Sequence, residues 1–374
     1  MVNPAASAGP VAAAAITADP WQGRRVLLTG HTGFKGSWLS LLLARRGAHV
    51  TGFSLPPPSS PNLFTLARVE EAVQSRIGDI ADTASLAEAF NASRPEVVMH
   101  LAAQALVRRS YQDPVETYRT NVMGTVNVLE AVRKTPSVKA VVVVTTDKCY
   151  DNREWLWAYR ENEPMGGADP YSSSKACAEL VTAAYRRSFL SAAAGRTIGL
   201  ASARAGNVIG GGDWAEDRIM TDLLASLSTG RPAEIRNPDA VRPWQHVLEP
   251  LSGYLRLAEA LLEDPARYSE AFNFGPSEFD AQPVRAIADR MTGPGGLLGG
   301  GAWTLAAGAQ PHEAHLLKLD SAKARAQLGW RPRLRLDDAL VRVADWVKAW
   351  RAGQDMRAMT EAQIRDYFAL PPLP

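Results

Sequence analysis

Short, β-branched apolar runs alternate with longer stretches of helical periodicity between residues 25 and 203. This rhythm predicts successive β-α-β units, and the nearly continuous apolar runs are typical of strands covered by helices on both faces. We therefore expect an α/β fold, a Rossmann-type doubly wound parallel sheet. The predicted strands are Arg25–Thr29, His49–Ser54, Val73–Ile77, Val97–Leu101, Ala140–Thr145 and Thr197–Ala203. The predicted helices are Ser37–Arg46, Thr83–Ala92, Thr117–Arg133 and Ser172–Leu190.

After Gly206 the pattern changes to loops rich in Gly, Pro and Trp with short helices, which predicts a second, smaller domain in this chain of 374 residues. A helix over Val247–Leu262 and a strand over Ala271–Phe274 would return the chain to the first domain. The Gly-rich stretch Thr292–Gln310 predicts a surface loop. The predicted boundaries are a disordered tail over 1–22, a Rossmann domain over 23–205 plus 247–274, and a mixed substrate-binding domain over 206–246 and 275–370.

Charge and cysteine content exclude several classes of protein. The 41 Lys and Arg nearly balance the 39 Asp and Glu, whereas a nucleic-acid footprint needs clustered positive charge. Cys149 and Cys177 are too few for a disulfide framework, so we expect a cytoplasmic protein. No segment has the roughly 18 strongly apolar residues of a membrane span, and the Ala-rich N-terminus lacks the basic start of a signal peptide. His312 and His315 have no partners at metal-site spacing, so no metal is predicted.

The first predicted strand runs directly into the glycine-rich turn Gly30-x-x-Gly33-x-x-Gly36. Glycines at a strand-to-helix turn permit positive φ and let the backbone approach a pyrophosphate, which the helix N-terminus then binds. The turn therefore predicts a dinucleotide site. The end of the second strand, Thr51–Ser54, carries no acidic residue, so the choice between NAD and NADP stays open. Asp79, after the third strand, would be either an adenine ligand or a helix N-cap.

Two further segments carry groups suited to proton transfer. Tyr171 and Lys175 are four residues apart, which puts them on one face of a helix. A neighbouring ammonium can lower the phenol pKa from its reference of about 10, so that a phenolate takes the proton of a substrate alcohol. Asp147 and Lys148 follow a buried strand, where they suit a cleft better than a core, although an ordinary ion pair would look the same.

These segments resemble the extended short-chain dehydrogenase/reductase family. The motifs that carry the resemblance occur in the same order as in that family: the glycine turn, His100-Leu-Ala-Ala103 and Tyr171-x-x-x-Lys175. Within that family, four segments are similar to the CDP-glucose 4,6-dehydratases, and the resemblance covers about Gly23 to Phe368. The four segments are Gly30-His-Thr-Gly-Phe-Lys-Gly-Ser-Trp-Leu39, Thr146-Asp-Lys-Cys-Tyr150, Gly210-Gly-Gly-Asp-Trp-Ala-Glu-Asp-Arg218 and Arg242-Pro-Trp-Gln-His-Val247.

The resemblance implies that CDP-glucose is converted to its 4-keto-6-deoxy derivative, with NAD as the hydride carrier. Tyr171 would take the 4-hydroxyl proton with help from Lys175. Asp147 would protonate the C6 oxygen, Lys148 would remove the C5 proton, and Thr146 would bind the C4 oxygen. The implied cofactor contacts are Gly30, Thr32, Gly33, Phe34, Lys35, Gly36, Asp79, Ile80, Leu101, Ala102, Ala103, Tyr171 and Lys175. The implied substrate contacts are Gln104, Asn207, Trp214, Arg218 and Arg242.

The resemblance also implies a homodimer or homotetramer built on the outer faces of two of the predicted helices. Val122, Val126 and Leu129 share a stripe on the first of them, and we expect this stripe to need cover from a second subunit.

Two alternative functions stay open. One is a dehydratase for another nucleotide sugar or a 4-epimerase, although an epimerase has no need of the Asp147 and Lys148 pair. The other is a catalytically silent nucleotide-binding protein, against which the presence of Tyr171 and Lys175 counts. The spacing of residues does not indicate which nucleotide base is bound.

Overall fold

A computed structural model describes residues 19–308 and 314–374. The strands in these ranges are β1 (Arg25–Thr29), β2 (His49–Ser54), β3 (Gln74–Ile77), β4 (Val97–His100), β5 (Ala140–Val144), β6 (Gly199–Ala205), β7 (Val208–Ile209), β8 (Ala233–Ile235), β9 (Val241–Pro243), β10 (Gln245–His246), β11 (Ala271–Phe274), β12 (Ala281–Pro283) and β13 (Trp303–Leu305). The α-helices are α1 (Phe34–Arg45), α2 (Leu63–Leu66), α3 (Thr83–Ser93), α4 (Val107–Gln112), α5 (Pro114–Tyr118), α6 (Gly124–Lys134), α7 (Pro170–Ser188), α8 (Ile219–Thr229), α9 (Leu248–Glu263), α10 (Pro265–Tyr268), α11 (Val284–Met291), α12 (Leu336–Arg351) and α13 (Met356–Ala369).

Seven strands form one parallel sheet in the order β11-β6-β5-β4-β1-β2-β3. The order reverses between β1 and β4, where Thr29 pairs with Phe53 on one side and with His100 on the other. Connections on either side of this point cover opposite faces of the sheet and leave a crevice at the carboxyl ends of the strands. The predicted α/β doubly wound class is confirmed, and the crevice is where a ligand is expected.

Both faces of the sheet are buried, as the continuous apolar strands predict. Leu28 belongs to a large core shared with the helices on one face, including Trp38 and Trp346. Its neighbour Leu27 points the opposite way, as successive strand residues must, into a second core with Phe53 and Leu129. The sheet is therefore held rigidly from two sides, which fixes the positions of its carboxyl ends.

The observed elements differ in a few bounds from those the sequence predicts. Helix α1 begins at Phe34 instead of Ser37, because Gly33 already serves as its N-cap. The single helix predicted over Thr117–Arg133 is three pieces, with a π-helical turn at Arg119–Met123 between α5 and α6. Strand β6 runs two residues further toward the crevice than predicted, to Ala205.

Residues after Gly206 add three two-stranded sheets, β10-β7, β12-β9 and β13-β8, beside the crevice. Helix α9 packs on β5 and β6, and β11 pairs with β6 at the edge of the main sheet. Part of the predicted surface loop Thr292–Gln310 is the strand β13. Leu298, which lies in the same loop before β13, is buried. Gln310 and His312 lie outside the described residues.

The predicted tail over residues 1–22 needs a correction at its C-terminal end. Residues 1–18 lie outside the described ranges, but Trp21 is fully buried, and its indole Nε1 donates to Glu259 at 2.7 Å. Asp19 pairs with Arg46 at 2.7 Å. The folded unit therefore begins before residue 23, since the large Trp21 side chain is part of the buried core.

Within 19–308 and 314–374, no helix combines the length and apolar character needed to cross a membrane. The same ranges hold no cluster of three His, Cys, Asp or Glu side chains that could bind a metal ion. Cys149 and Cys177 are both free thiols.

Candidate active site

One cavity of about 800 Å³ lies along the carboxyl ends of the sheet strands. Every residue predicted for the site lines it except Trp214. The Trp214 ring instead packs edge-on against Trp346 and Trp350, with ring centroids 5.7 and 5.1 Å apart. Its neighbours Asp213 and Ala215 line the cavity, so the Trp214 side chain points to the other side of the same loop. Trp214 is therefore a packing residue, and the predicted substrate contact is wrong.

The glycine turn has the shape that a pyrophosphate site requires. Gly30 has φ of +80°, and a Cβ there would lie 2.7 Å from the Ala102 backbone nitrogen. A Cβ at Gly36 would overlap the Gly30 carbonyl. Gly33, the N-cap of α1, has an ordinary φ of −76°, and the only described atom within 4 Å of an added Cβ is the Gly30 oxygen at 3.4 Å. Gly30 and Gly36 therefore close the turn, while Gly33 leaves space for a ligand.

Charge at the same turn also fits an anion. The first turn of α1 contains no acidic residue, and its free N–H groups face the cavity with a positive dipole end. Burial, together with the positive charges of Arg218 and Lys175, lowers the pKa of the Lys35 ammonium to about 8, while Asp147 opposes the shift. A bound diphosphate would relieve this crowding of positive charge. The turn therefore fits the dinucleotide that its sequence predicts.

The end of β2 forms the cavity wall beside the glycine turn. Thr32 Oγ1 donates to the Leu55 carbonyl at 2.8 Å and lies 2.9 Å from Ser54 Oγ.

Asp79, which follows β3, uses both carboxylate oxygens within the protein. Asp79 Oδ1 accepts from Ala81 N at 2.9 Å, and Asp79 Oδ2 accepts from Arg119 Nη2 at 3.0 Å. The N-cap of α3 is Asp82, not Asp79, so the capping alternative for Asp79 is wrong.

The loop after β4 is shaped by hydrogen bonds within the protein. Thr29 Oγ1 accepts from the backbone nitrogens of Leu101 and Ala102, each at 3.2 Å. Burial, with a contribution from Lys175, lowers the pKa of His100 to about 3, so its ring is a neutral core group. The Gln104 amide donates to the Leu106 carbonyl and to a Thr hydroxyl, each at 3.0 Å. The Gln104 side chain thus shapes the loop, and Gln104 lines the cavity together with Ala103 and Ile80.

Tyr171 and Lys175 are brought to the cavity by the first two turns of α7, which Asp169 caps. Burial raises the pKa of the Tyr171 phenol to about 12, while a hydrogen bond with Thr146 and the charge of Arg218 oppose the rise. Lys175 Nζ donates to the Val144 carbonyl at 3.2 Å, and burial lowers its pKa to about 8. Burial therefore outweighs the expected lowering of the phenol pKa in the protein alone.

Thr146, Asp147 and Lys148, which we call the acid–base turn, leave the end of β5 as a single 3-10 turn. Thr146 Oγ1 accepts from Lys148 N at 3.3 Å and donates to Asp147 Oδ1 at 3.0 Å. Asp147 Oδ2 is buried without a hydrogen-bond partner among the described residues. Burial raises the pKa of Asp147, although Lys148 and Thr146 oppose this, so part of the carboxyl stays protonated at a higher pH than usual. A buried carboxyl with a raised pKa and one oxygen without a partner among the described residues suits a general acid.

The other cavity wall comes from the elements after β6. Asn207 lines the cavity directly after that strand, and Arg242 lies on β9. Arg242 is buried, and its guanidinium donates to the Val241 and Ala314 carbonyls at 3.0 and 2.5 Å. Arg218, just before α8, exerts its charge on Tyr171 and Lys35. Arg218 also lines the cavity, so its charge is available to a ligand there as well.

Two buried polar residues near the site are missed by the sequence analysis. The Asn121 amide, in the π-helical turn, donates to the Gln104 carbonyl at 2.9 Å and to Ser174 Oγ at 2.8 Å. Ser110 Oγ accepts from the backbone nitrogen of Tyr171 at 3.1 Å. Both hold α7 against the loop after β4. Their partners are distant in sequence, so no local pattern could have indicated them.

Comparisons with known proteins agree with this arrangement. Residues 27–269 match the family model described as GDP-mannose 4,6 dehydratase. The CDP-glucose 4,6-dehydratase of Salmonella typhimurium is 54% identical over 351 residues, which are 93% of this chain and 97% of that protein. The chain belongs to the nucleotide-sugar 4,6-dehydratase family. The predicted family and enzyme class are confirmed.

Solved structures of related folds support the same assignment. The UDP-glucose 4-epimerase of Thermus thermophilus, in complex with NAD, superimposes with a TM-score of 0.73 at 25% identity, covering 86% of the dehydratase and 98% of that chain. The dTDP-glucose 4,6-dehydratase of Bacillus anthracis, in complex with NAD, gives a TM-score of 0.72 at 20% identity, with 90% and 100% covered. The second likeness shows the Rossmann-type fold of the dehydratase.

The cavity of this 4,6-dehydratase has two ends of different character. The glycine turn and Lys35 form an anion-binding end, whereas Tyr171 and the acid–base turn line the other part of the same cavity. The cavity thus presents a phenol, a carboxyl with a raised pKa and a Lys side chain on one lining. That combination permits proton removal and proton donation at neighbouring carbons.

Proposed function

We propose that this protein is an NAD-dependent CDP-glucose 4,6-dehydratase, a lyase that converts CDP-glucose into CDP-4-keto-6-deoxyglucose and water. The observation that carries the proposal is that Tyr171, Lys175 and the acid–base turn line one cavity together with the glycine turn. Hydride chemistry at C4 and elimination across C5 and C6 need both sets of groups at one ring. The choice of CDP-glucose rests on the 54% identity to an enzyme of that name.

The oxidation half of the reaction uses Tyr171. NAD, held by the Gly30–Gly36 turn, would accept a hydride from C4 of the glucose and return it to C6. Tyr171 accepts the 4-hydroxyl proton, and the charge of Arg218 together with the Thr146 hydroxyl favours the phenolate that burial disfavours. Lys175 anchors α7 to the end of β5 by donating to the Val144 carbonyl, and it lines the same cavity as Tyr171.

The elimination half uses the acid–base turn. Once C4 is a ketone, the C5 hydrogen is acidic, and Lys148 removes it as general base. Asp147 donates its proton to the C6 oxygen, which leaves as water. Lys148 returns its proton to C5 when hydride reaches C6. Tyr171 has then gained the 4-hydroxyl proton and Asp147 has lost one, so transfer of one proton from Tyr171 to Asp147 returns the enzyme to its starting state.

The cofactor preference is supported by the cavity wall at the end of β2. The residues there are Ser54, Leu55, Pro56 and Pro58, which carry no positive charge. A 2′-phosphate would need a cationic partner at this position, so the wall favours NAD over NADP. Asp79 would accept a hydrogen bond from the adenine amino group, and Arg242 with Asn207 would bind the diphosphate of the sugar nucleotide.

We also propose that the dehydratase assembles as a homodimer or homotetramer in the cytoplasm. Val115, Met123 and Leu180 are exposed by 77%, 52% and 60% on neighbouring helical segments. Such a contiguous apolar face is typical of a subunit interface. Leu129 does not belong to it, because its side chain is fully buried in the core.

The test is incubation of the purified enzyme with a panel of nucleotide hexoses, with NMR identification of the product. We expect the alkaline ultraviolet absorbance of a 4-keto-6-deoxy sugar from CDP-glucose, without net release of reduced nicotinamide. Formation of a 4-epimer without loss of water would show an epimerase. Reduced nicotinamide released in step with product would show a dehydrogenase.

A further inference from the structure

A buried ion pair lies directly behind the active site, and the mechanism above does not use it. Glu179 on α7 and Arg204 on β6 are joined at 2.8 Å, with only 5% and 4% of their side chains exposed. Burying two charges is costly, and the cost is offset only where further hydrogen bonds satisfy both groups. The partners of this pair therefore indicate what it holds in place.

The carboxylate connects α7 to the start of the acid–base turn. Glu179 Oε1 accepts from Thr145 Oγ1 at 2.5 Å, and Thr145 immediately precedes Thr146. Glu179 Oε2 accepts from Ser202 Oγ at 2.6 Å in addition to Arg204. On α7, Glu179 follows Lys175 by one turn and Tyr171 by two, on the same face.

The guanidinium connects to the other end of the same turn. Arg204 Nη1 donates to the Tyr150 hydroxyl at 2.8 Å, and the guanidinium carbon lies 5.1 Å from the centre of the Tyr150 ring. Tyr150 in turn donates to Asn273 Oδ1 at 2.7 Å on β11. Only Cys149 separates Tyr150 from the acid–base turn. Asp147 and Lys148 thus lie between two tethered residues.

We propose that Thr145, Glu179, Arg204 and Tyr150 form a clamp that fixes the acid–base turn against the helix carrying Tyr171, and so couples elimination to oxidation. The inference rests on the proposed function, which requires one ring to meet both sets of groups without release. Glu179 and Arg204 are positioning residues, since neither lines the cavity. Loosening the clamp displaces Asp147 and Lys148 while leaving Tyr171 on its capped helix.

Two variants loosen the clamp, and each has a matched control. Thr145→Val removes the hydroxyl that Glu179 binds at the start of the acid–base turn. Its control is Ser202→Ala, which removes the second hydroxyl that donates to Glu179. Ser202 lies on β6, which does not carry the acid–base turn. Tyr150→Phe removes the hydroxyl at the end of the turn. Tyr159→Phe removes the hydroxyl of the stacked ring, whose partners are Arg153 and Asn152 outside the clamp.

The first readout separates the two half-reactions in a single turnover with CDP-glucose. Oxidation is followed by the absorbance of reduced nicotinamide, and elimination by solvent deuterium incorporation at C5. We expect Thr145→Val and Tyr150→Phe to lower the ratio of elimination to oxidation by about 10- to 100-fold, since a misplacement of about 1 Å can cost about 100-fold. Ser202→Ala and Tyr159→Phe keep the wild-type ratio. Equal ratios in all four variants would overturn the proposal.

The second readout needs neither substrate nor cofactor. Cys149 lies within the clamped segment and is fully buried, so its rate of labelling by a thiol reagent, in a Cys177→Ser background, reports opening of the turn. Labelling should accelerate in Thr145→Val and Tyr150→Phe, but not in the controls, when all are compared at equal distance below their melting temperatures. Unchanged labelling would refute the clamp even if activity fell. A wild-type enzyme inactive on CDP-glucose would refute the proposed function instead, while labelling would still test the clamp.

Discussion

Gly33 and Gly36 differ in a way that separates ligand binding from folding. A Cβ at Gly36 would overlap the Gly30 carbonyl, so Gly36→Ala forces the backbone apart. Overpacking of this kind costs about 1–3 kcal/mol of unfolding free energy. A Cβ at Gly33 meets the Gly30 oxygen at 3.4 Å, an ordinary contact, and the φ of −76° suits any residue. Ala is a poorer N-cap than Gly, which lowers the unfolding free energy, whereas Ala restricts the unfolded chain, which raises it. Each effect is below about 1 kcal/mol, so Gly33→Ala should fold normally.

The same methyl group at Gly33 should obstruct the approach of a pyrophosphate. Losing one hydrogen bond from a backbone N–H to a charged oxygen costs about 1.5–3 kcal/mol, which is about 10- to 100-fold in affinity. Calorimetric titration with NAD should show this loss in Gly33→Ala, while thermal unfolding matches the wild type. Gly36→Ala serves as the contrasting variant, with a lowered melting temperature. Wild-type NAD affinity in folded Gly33→Ala would refute the assignment of the turn.

Three further outcomes are expected. Lys148→Met keeps the side-chain volume but removes the base, so reduced nicotinamide still forms in a single turnover while C5 deuterium exchange falls about 10²- to 10⁴-fold; wild-type exchange would exclude Lys148 as the base. Because the pKa of Lys35 is about 8, the ammonium loses its charge as pH rises through that value, and NAD affinity measured by titration should weaken there. Lys35→Met should flatten this dependence, and an equal slope in both proteins would contradict it. Leu180→Glu should reduce the mass measured by light scattering, whereas Phe279→Glu, exposed by 81% on a different part of the surface, should not; a monomeric wild type would contradict the interface.

The sequence predicts the parts of this protein whose conformation is decided locally. The bounds of β1, β2 and β11 are those predicted from their apolar runs, and glycine directly follows β1 and β11. The glycine turn is equally local, because Gly30 needs a positive φ that other residues adopt at a cost. Residues at strand ends then meet at one edge of the sheet by topology alone.

Features that depend on distant partners are not visible in the pattern. Trp214 belongs to a segment that faces the cavity on one side, and only the position of α12 shows that its ring points away. Leu129 shares a helical stripe with Val122, yet it faces the sheet and is fully buried. The partner of Glu179 is Arg204, 25 residues away, on a strand whose neighbours decide which way its side chain points.

Burial and charge compete throughout the cavity, and their balance links activation to ligand binding. Burial moves the pKa of Lys35 and Lys175 to about 8 and that of Tyr171 to about 12, so each group is closer to its neutral form than in water. An anionic diphosphate in the cavity would raise the pKa of both amines, so that they keep their positive charge above pH 8. The negative charge of the diphosphate would at the same time oppose ionisation of the Tyr171 phenol. The positive charge of Arg218, which lowers the pKa of Tyr171, therefore has to offset both burial and the bound diphosphate before the phenolate can take the C4 proton.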